Sequence, residues 1–116
     1  MAEFYIYDKA RALNKAISYL LRTKQIDHYK GDQILRASNS LVLTIAEGNG
    51  RFTSKDRMHY FIISRGSAQE LRACIDLLED EAFMTPDEAR PYRDKITELI
   101  KMLTQLILNL HEKHKP

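Results

Sequence analysis

Apolar residues near the C-terminal end of the chain recur in alternating steps of four and three. That spacing puts side chains on one face of an α-helix. The residues are Tyr92, Ile96, Leu99, Leu103, Leu106 and Leu110. Ile100, Met102 and Ile107 widen this face to about 160° of the helix, more than the ~100° stripe that one packed face needs. The width predicts a second apolar seam, buried between subunits of an oligomer.

Three further segments show the same period. The first runs from Ile6 to Leu20, the second from Ile34 to Ala46 and the third from Tyr60 to Leu78. The polar stretch from Thr23 to Gly31 forms the first connection. No segment shows the alternation of a β-strand. We therefore predict an all-α protein: one up-down-up-down four-helix bundle domain over residues 1–116, assembled as a cyclic homo-oligomer.

Capping signals mark the starts of the last two helices. Thr53 precedes Ser54-Lys55-Asp56, so its hydroxyl can accept from a free backbone N–H group. Thr85 is followed by proline at the first helical position and by Glu88 three residues later. That combination is a capping box, the strongest local signal in the chain.

The stretch "AEGNGR" ends the second helix. We predict that Gly48 is a left-handed residue just beyond the helix and that Gly50 completes the reversal. A phosphate-binding loop would need a strand before the glycines, a third glycine or a Lys-Ser/Thr pair, and none is present. Gly48 and Gly50 are therefore interpreted as a structural turn.

Polar side chains form stripes on both sides of this turn. Arg36, Ser40, Leu43 and Glu47 share one face of the second helix, and Asp56, Tyr60, Ile63, Ser67 and Glu70 share one face of the third. Antiparallel packing allows a polar network near this end of the bundle or across a subunit boundary. Its members would be Arg36, Glu47, Arg51, Asp56 and Arg65. Solvated faces with local ion pairs are the alternative.

Composition excludes several classes of function. The net charge is only +2, no apolar run reaches the length of a membrane span, and Cys74 has no partner for a disulfide. We expect a cytoplasmic protein without membrane contact. Residues 1–31 carry six bases against three acids, so the first helix could form a basic ring in a cyclic oligomer. Ordinary solubilising lysines are the alternative.

No constellation typical of an enzyme is present, and we expect no catalytic residue, cofactor or metal. Arg22 and His28 have the spacing found in some small helical ribonucleases, which keeps a ribonuclease as an unfavoured alternative. His111 and His114 lack a third metal ligand. The acidic run Glu79-Asp80-Glu81 is expected to be a solvated surface.

The two middle helices resemble a known family. "DQILRASNSLVLTIAEGNGR" followed by "SKDRMHYFIISRGSAQEL" is similar to the four-helix-bundle proteins encoded in 23S ribosomal RNA intervening sequences. The matching positions are Asp32, Gln33, Arg36, Ala37, Ser38, Ile45, Ala46, Glu47, Gly48, Gly50, Arg51, Lys55, Asp56, Arg65, Gly66, Ser67, Glu70 and Leu71. They cover about forty residues in order.

The resemblance implies a homopentamer related to the accessory variability protein of diversity-generating retroelements, which works with a reverse transcriptase and binds nucleic acid through a basic surface. We expect a non-enzymatic scaffold that binds RNA or a nucleic-acid enzyme, with a protein-only interaction scaffold as the alternative. The expected nucleic-acid-binding residues are Lys9, Arg11, Lys15, Arg36, Arg51 and Arg65. The polar network of the family motif is Asp32, Glu47, Asp56, Ser67 and Glu70.

Overall fold

The computed structural model describes residues 2–114, with side chains from Phe4 to Lys113. They form four α-helices: α1 (Ala2–Thr23), α2 (His28–Asn49), α3 (Ser54–Asp80) and α4 (Pro86–His114). Each helix packs on its neighbours in the chain, α1 also packs on α4, and the backbones of the diagonal pairs stay farther apart within this range. The predicted all-α four-helix architecture is confirmed.

Contacts between helices show that neighbours run antiparallel. Ser40 of α2 bonds to Ser67 of α3, whereas Thr44, one turn later, bonds to Ser64, one turn earlier. The same reversal joins α3 to α4, where Arg65 meets Thr104 while Asp76 meets Arg93. The bundle measures 50 × 21 × 21 Å, close to the length of its longest helix.

The predicted caps of α3 and α4 are confirmed. The Thr53 hydroxyl accepts from the Asp56 N–H at 3.1 Å. At the start of α4 the Glu88 N–H donates to the Thr85 hydroxyl at 3.1 Å, and the Thr85 N–H donates to the Glu88 carboxylate at 3.0 Å. The start of α2 differs from expectation. Asp27 accepts from the Lys30 N–H, so the helix begins at His28 and includes Gly31.

All four helices contribute to one apolar core, whose largest fully buried side chain is Phe61. The wide apolar face of α4 also belongs to this core. Ile100 is only 8% exposed, and Met102 and Ile107 are partly buried against core residues. Packing within the chain therefore accounts for much of this width, and the seam between subunits stays a prediction. A bundle helix contacts two neighbours, here α1 and α3, and needs a wider face than a helix packed on one side.

Gly48 lies inside α2 rather than beyond its end, and none of the glycines within residues 2–114 has a positive φ. The prediction of a left-handed Gly48 is wrong. A Cβ at Gly48 would lie 2.6 Å from Cε1 of Phe61, so the residue is needed for close packing. Gly50 is the C-cap at φ −87°, and its N–H donates to the carbonyls of Ala46 and Glu47.

Gly48→Ala should therefore destabilise the protein. Overpacking against the buried Phe61 ring costs about 1–3 kcal/mol, which exceeds the roughly 0.5–1 kcal/mol that alanine gains over glycine in a helix. Gly31→Ala is the matched control, since no atom lies within 4 Å of its added Cβ in the same helix. Urea unfolding should show a loss for Gly48→Ala and a gain for Gly31→Ala. Equal gains would mean that the Phe61 contact is not tight.

The capping box also predicts a pH dependence. The Lys24 ammonium and the Thr85 N–H lower the pKa of Glu88 below its ordinary value. A carboxylate whose pKa is lower in the folded state stabilises the protein above its unfolded pKa of about 4.5, and this is lost as pH falls through the folded pKa. Glu88→Gln should lower the urea midpoint at pH 7 and have little effect near pH 3. A deficit of the same size at both values would contradict a role for the charge.

Candidate interaction surfaces

Small hydroxyl residues bring α2 and α3 close together. Ser40 and Ser67 share a hydrogen bond of 2.8 Å, and Thr44 and Ser64 share one of 2.7 Å. Ser40 and Ser67 belong to the predicted polar stripes of α2 and α3, whereas Thr44 and Ser64 do not. Ser64 is fully buried and also donates to the Tyr60 carbonyl. The hydroxyls therefore satisfy one another inside the α2–α3 contact instead of facing solvent.

The end of this contact nearest the turn between α2 and α3 carries a cluster around Arg51. The Arg51 guanidinium donates to the Glu47 carboxylate at 3.0 Å and to the Tyr60 hydroxyl at 2.8 Å, and lies 4.7 Å from the Tyr60 ring centroid. Glu47, Arg51 and Asp56 line a shallow cleft of about 680 Å³. The Glu47–Arg51 ion pair is a local i,i+4 contact, as the alternative of solvated faces with local pairs predicts, and Tyr60 joins it to α3.

The opposite end of the α2–α3 contact, near the start of α2, carries a second polar cleft of about 300 Å³. It is lined by Tyr29, Asp32, Gln33, Arg36 and Glu70. Together with the cluster around Arg51 and with Ser67, it places all five residues of the family-motif network along one side of the bundle. These are Asp32, Glu47, Asp56, Ser67 and Glu70.

Arg65 does not join this network. Its Nε donates to the Thr104 hydroxyl at 2.7 Å, so it belongs to the α3–α4 contact. The expectation that it would meet Glu47 and Arg51 is wrong, because Arg65 points from the opposite flank of α3. Its partner Thr104 also donates to the carbonyl of Ile100.

Large apolar side chains are exposed along the same side of the bundle. We define the α2–α3 surface by these residues: Tyr29, Leu43, Phe52, Ile63 and Leu77. Phe52 is fully exposed in the turn, and Leu77 is half exposed on α3 beside Tyr29 and Gln33 of α2. Sequence reasoning missed this patch because it considered only apolar residues that follow the core period. Leu77 lies off that period, which was the available signal.

Several bases of the α1 region are paired with carboxylates. Lys9 lies 2.7 Å from Glu98 of α4, and that carboxylate raises the pKa of Lys9. Lys24 pairs with Glu88 and Lys30 with Glu81. By contrast, no described carboxylate lies within salt-bridge distance of Arg11, Lys15 or Arg22, and all three are exposed. The available positive charge of α1 therefore lies on its outer side.

The six bases expected to bind nucleic acid lie on several sides of one chain. Lys9 faces α4, whereas Arg11 and Lys15 line a groove between α1 and α2. Arg36 and Arg51 lie beside the α2–α3 surface, and Arg65 lies between α3 and α4. Only Arg11 and Lys15 of this set share a groove. A single chain does not bring the six together.

Comparison with known proteins now gives the family. The model of the 23S rRNA-intervening sequence protein family matches residues 2–105. The chain belongs to this family. A solved protein of unknown function from the S23 ribosomal protein family of Bacteroides thetaiotaomicron VPI-5482 has the same fold, with a TM-score of 0.86. The two are 24% identical over 92% of this chain and 98% of that one. A search of curated proteins finds no match.

The ribonuclease alternative concerns Arg22 and His28 of this intervening-sequence protein. Arg22 lies near the end of α1, and His28 begins α2, where its Nε2 lies 3.2 Å from Asp32. No hydrogen bond or ion pair among the described side chains joins Arg22 to His28. Within residues 2–114 there is no group of three or more His, Cys, Asp or Glu side chains placed to hold a metal. His114 lies outside the described side chains.

Two other features of the family member depart from a simple surface. Glu79 and Asp76 both bind Arg93 of α4, at 2.8 and 3.0 Å, and raise its pKa. The acidic run ending α3 is thus partly engaged in contacts between helices, although we expected solvation. Cys74 is buried, as predicted, and burial raises the pKa of its thiol. Among residues 2–114, no helix combines the length and apolarity needed to cross a membrane.

Proposed function

We propose that this chain is a non-enzymatic scaffold that assembles with copies of itself through the α2–α3 surface and binds RNA through bases on α1. The observation that carries the proposal is the separation of two kinds of exposed residue. Five large apolar side chains lie exposed at the α2–α3 surface, whereas Arg11, Lys15 and Arg22 project from α1 without a described carboxylate partner.

Self-association is supported by the composition of the α2–α3 surface. Fully burying one Leu, Ile or Phe side chain contributes about 1.5–3 kcal/mol, so covering the exposed parts of these five residues favours association. The polar clefts around Arg51 and Arg36 flank the apolar residues and would form the wetter rim that interfaces carry. The family resemblance implies five copies, related by cyclic symmetry.

RNA binding is supported by charge and by the family. Arginine and lysine side chains without a carboxylate partner can bind RNA phosphates. Binding releases counterions from the phosphates, and this release dominates non-specific affinity. Each copy in an oligomer adds the same three α1 bases, so assembly multiplies the phosphate contacts. The family is described by its occurrence in 23S rRNA intervening sequences, which is consistent with an RNA or nucleic-acid-enzyme partner.

A protein-only scaffold is the second candidate. It is favoured by one observation: the α2–α3 surface has more exposed apolar side chains than α1 has arginine and lysine side chains without a described carboxylate partner. This candidate predicts an intact oligomer that does not bind RNA even at low salt.

The assembly is tested by placing a charge in the proposed interface. Leu77→Glu should lower the mass measured by sedimentation toward the 13.5 kDa of one chain, with helical circular dichroism retained. Leu108→Glu is the matched control, because Leu77 and Leu108 are 54% and 52% exposed but Leu108 lies on α4. An unchanged mass for Leu77→Glu, or a monomeric wild type, would overturn the proposed interface.

RNA binding is tested by reversing two unpaired charges. Arg11→Glu with Lys15→Glu should weaken binding at least tenfold and make the dependence of affinity on salt less steep. Lys95→Glu with Lys101→Glu changes the net charge equally on exposed positions of α4 and should have a smaller effect. Fluorescence anisotropy across a salt series measures both. Equal losses in the two variants would mean that net charge, not the α1 site, determines affinity.

A further inference from the structure

The outer side of α1 carries both aromatic and basic residues. One stripe, in steps of four and three, consists of Phe4, Asp8, Arg11, Lys15, Tyr19 and Arg22, and all six side chains are exposed. Tyr19 is 61% exposed and Phe4 56%, while Tyr5, beside the stripe, is 57% exposed. We call Phe4, Tyr5, Arg11, Lys15, Tyr19 and Arg22 the outer face of α1.

We propose that the outer face of α1 binds single-stranded RNA, with unpaired bases stacked on its aromatic rings and phosphates held by its guanidinium and ammonium groups. The inference rests on the proposed RNA-binding function and specifies the form of RNA. It adds three aromatic residues, Tyr19, Tyr5 and Phe4, to the arginine and lysine residues already proposed as RNA contacts.

The spacing around Tyr19 suits one nucleotide and its two neighbouring phosphates. Lys15 lies four residues before Tyr19 and Arg22 three residues after it, or about 6 and 4.5 Å along the helix axis. The ring is therefore flanked by a cation on each side. Long, flexible side chains at these positions can reach the phosphates on either side of a base stacked on the ring.

A groove beside the stripe gives the strand a concave path. It is a shallow groove between α1 and α2 with a volume of about 590 Å³, and its lining includes Tyr7, Asp8, Arg11, Lys15 and Val42. The Arg11 guanidinium carbon is 5.7 Å from the Tyr7 ring centroid, which holds that cation at the edge of the groove. The Asn14 amide donates to Ser38 and Asn39 at 2.8 and 2.9 Å and fixes the groove floor.

Duplex RNA cannot use the aromatic part of this face. The bases of an A-form helix are stacked inside it, so proteins recognise the duplex by shape and backbone, while aromatic stacking is typical of unpaired bases. A second copy of the chain is also a poorer occupant. Docking protein on the face would desolvate three cations, against which the stripe offers only Asp8.

The test compares a single-stranded RNA oligonucleotide with a duplex containing the same strand. The full-length wild type should bind the single strand at least tenfold more tightly by fluorescence anisotropy. Tyr19→Leu, which keeps an apolar side chain but removes the ring, should lose about tenfold of that affinity. Leu108→Ala is the control, since Leu108 is an exposed apolar residue of α4 that belongs neither to this face nor to the α2–α3 surface. Oligomer mass is measured in the same samples.

A second readout comes from the absence of tryptophan in the chain. Tyrosine emission can be excited without interference from tryptophan, once absorption by the RNA is corrected for. Stacking of a nucleobase on Tyr19 should quench part of this emission in the wild type and less of it in Tyr19→Leu. Equal affinity for single strand and duplex would overturn the inference, as would wild-type affinity of Tyr19→Leu or a change in its oligomer mass. If Arg11→Glu with Lys15→Glu still loses binding in those cases, the RNA-binding proposal stands; if the wild type binds neither RNA, both fail.

Discussion

The close approach of α2 and α3 is the constraint on which the candidate surfaces depend. Phe61 packs against the bare backbone of Gly48, where any Cβ would overlap the ring. One to two turns higher, the pairs Thr44–Ser64 and Ser40–Ser67 keep the helices near each other with short side chains. Because the two helices are close, their flanks form a single side of the bundle with both polar clefts and the exposed apolar residues.

The local parts of the fold could be predicted from sequence because they depend on residues near one another in the chain. The caps at Thr53 and Thr85 need only a hydroxyl and a nearby N–H group, and the core period needs only helical spacing. Whether a glycine is required by its φ or by a contact depends on the residue opposite. Gly48 was therefore recognised as special, but its cause was missed.

The candidate site could be predicted only in part, for a similar reason. A helical stripe gives the residues that share a face, but the neighbour that face meets is set by the rotation of the helix in the bundle. The stripe of Ser40 and Glu47 does meet that of Ser67 and Tyr60, whereas Arg65 faces α4. Likewise, the apolar width of α4 reflects two intramolecular neighbours, which sequence alone does not distinguish from a subunit contact.

Ion pairs between helices reduce the number of arginine and lysine side chains that are available to a ligand. Lys9, Lys24 and Lys30 each meet a carboxylate of another helix, so much of the positive charge counted in residues 1–31 is neutralised within the bundle. Lys9 and Lys24 connect α1 to α4, and Lys30 connects α2 to α3 near the top of the bundle. What remains on α1 is unpaired charge on its outer side, among exposed aromatic rings. A helix that only solubilised the bundle would need the charges but not the rings. A helix that only packed on another subunit would need the rings but not three unpaired cations. A nucleic-acid strand can contact both the charges and the rings.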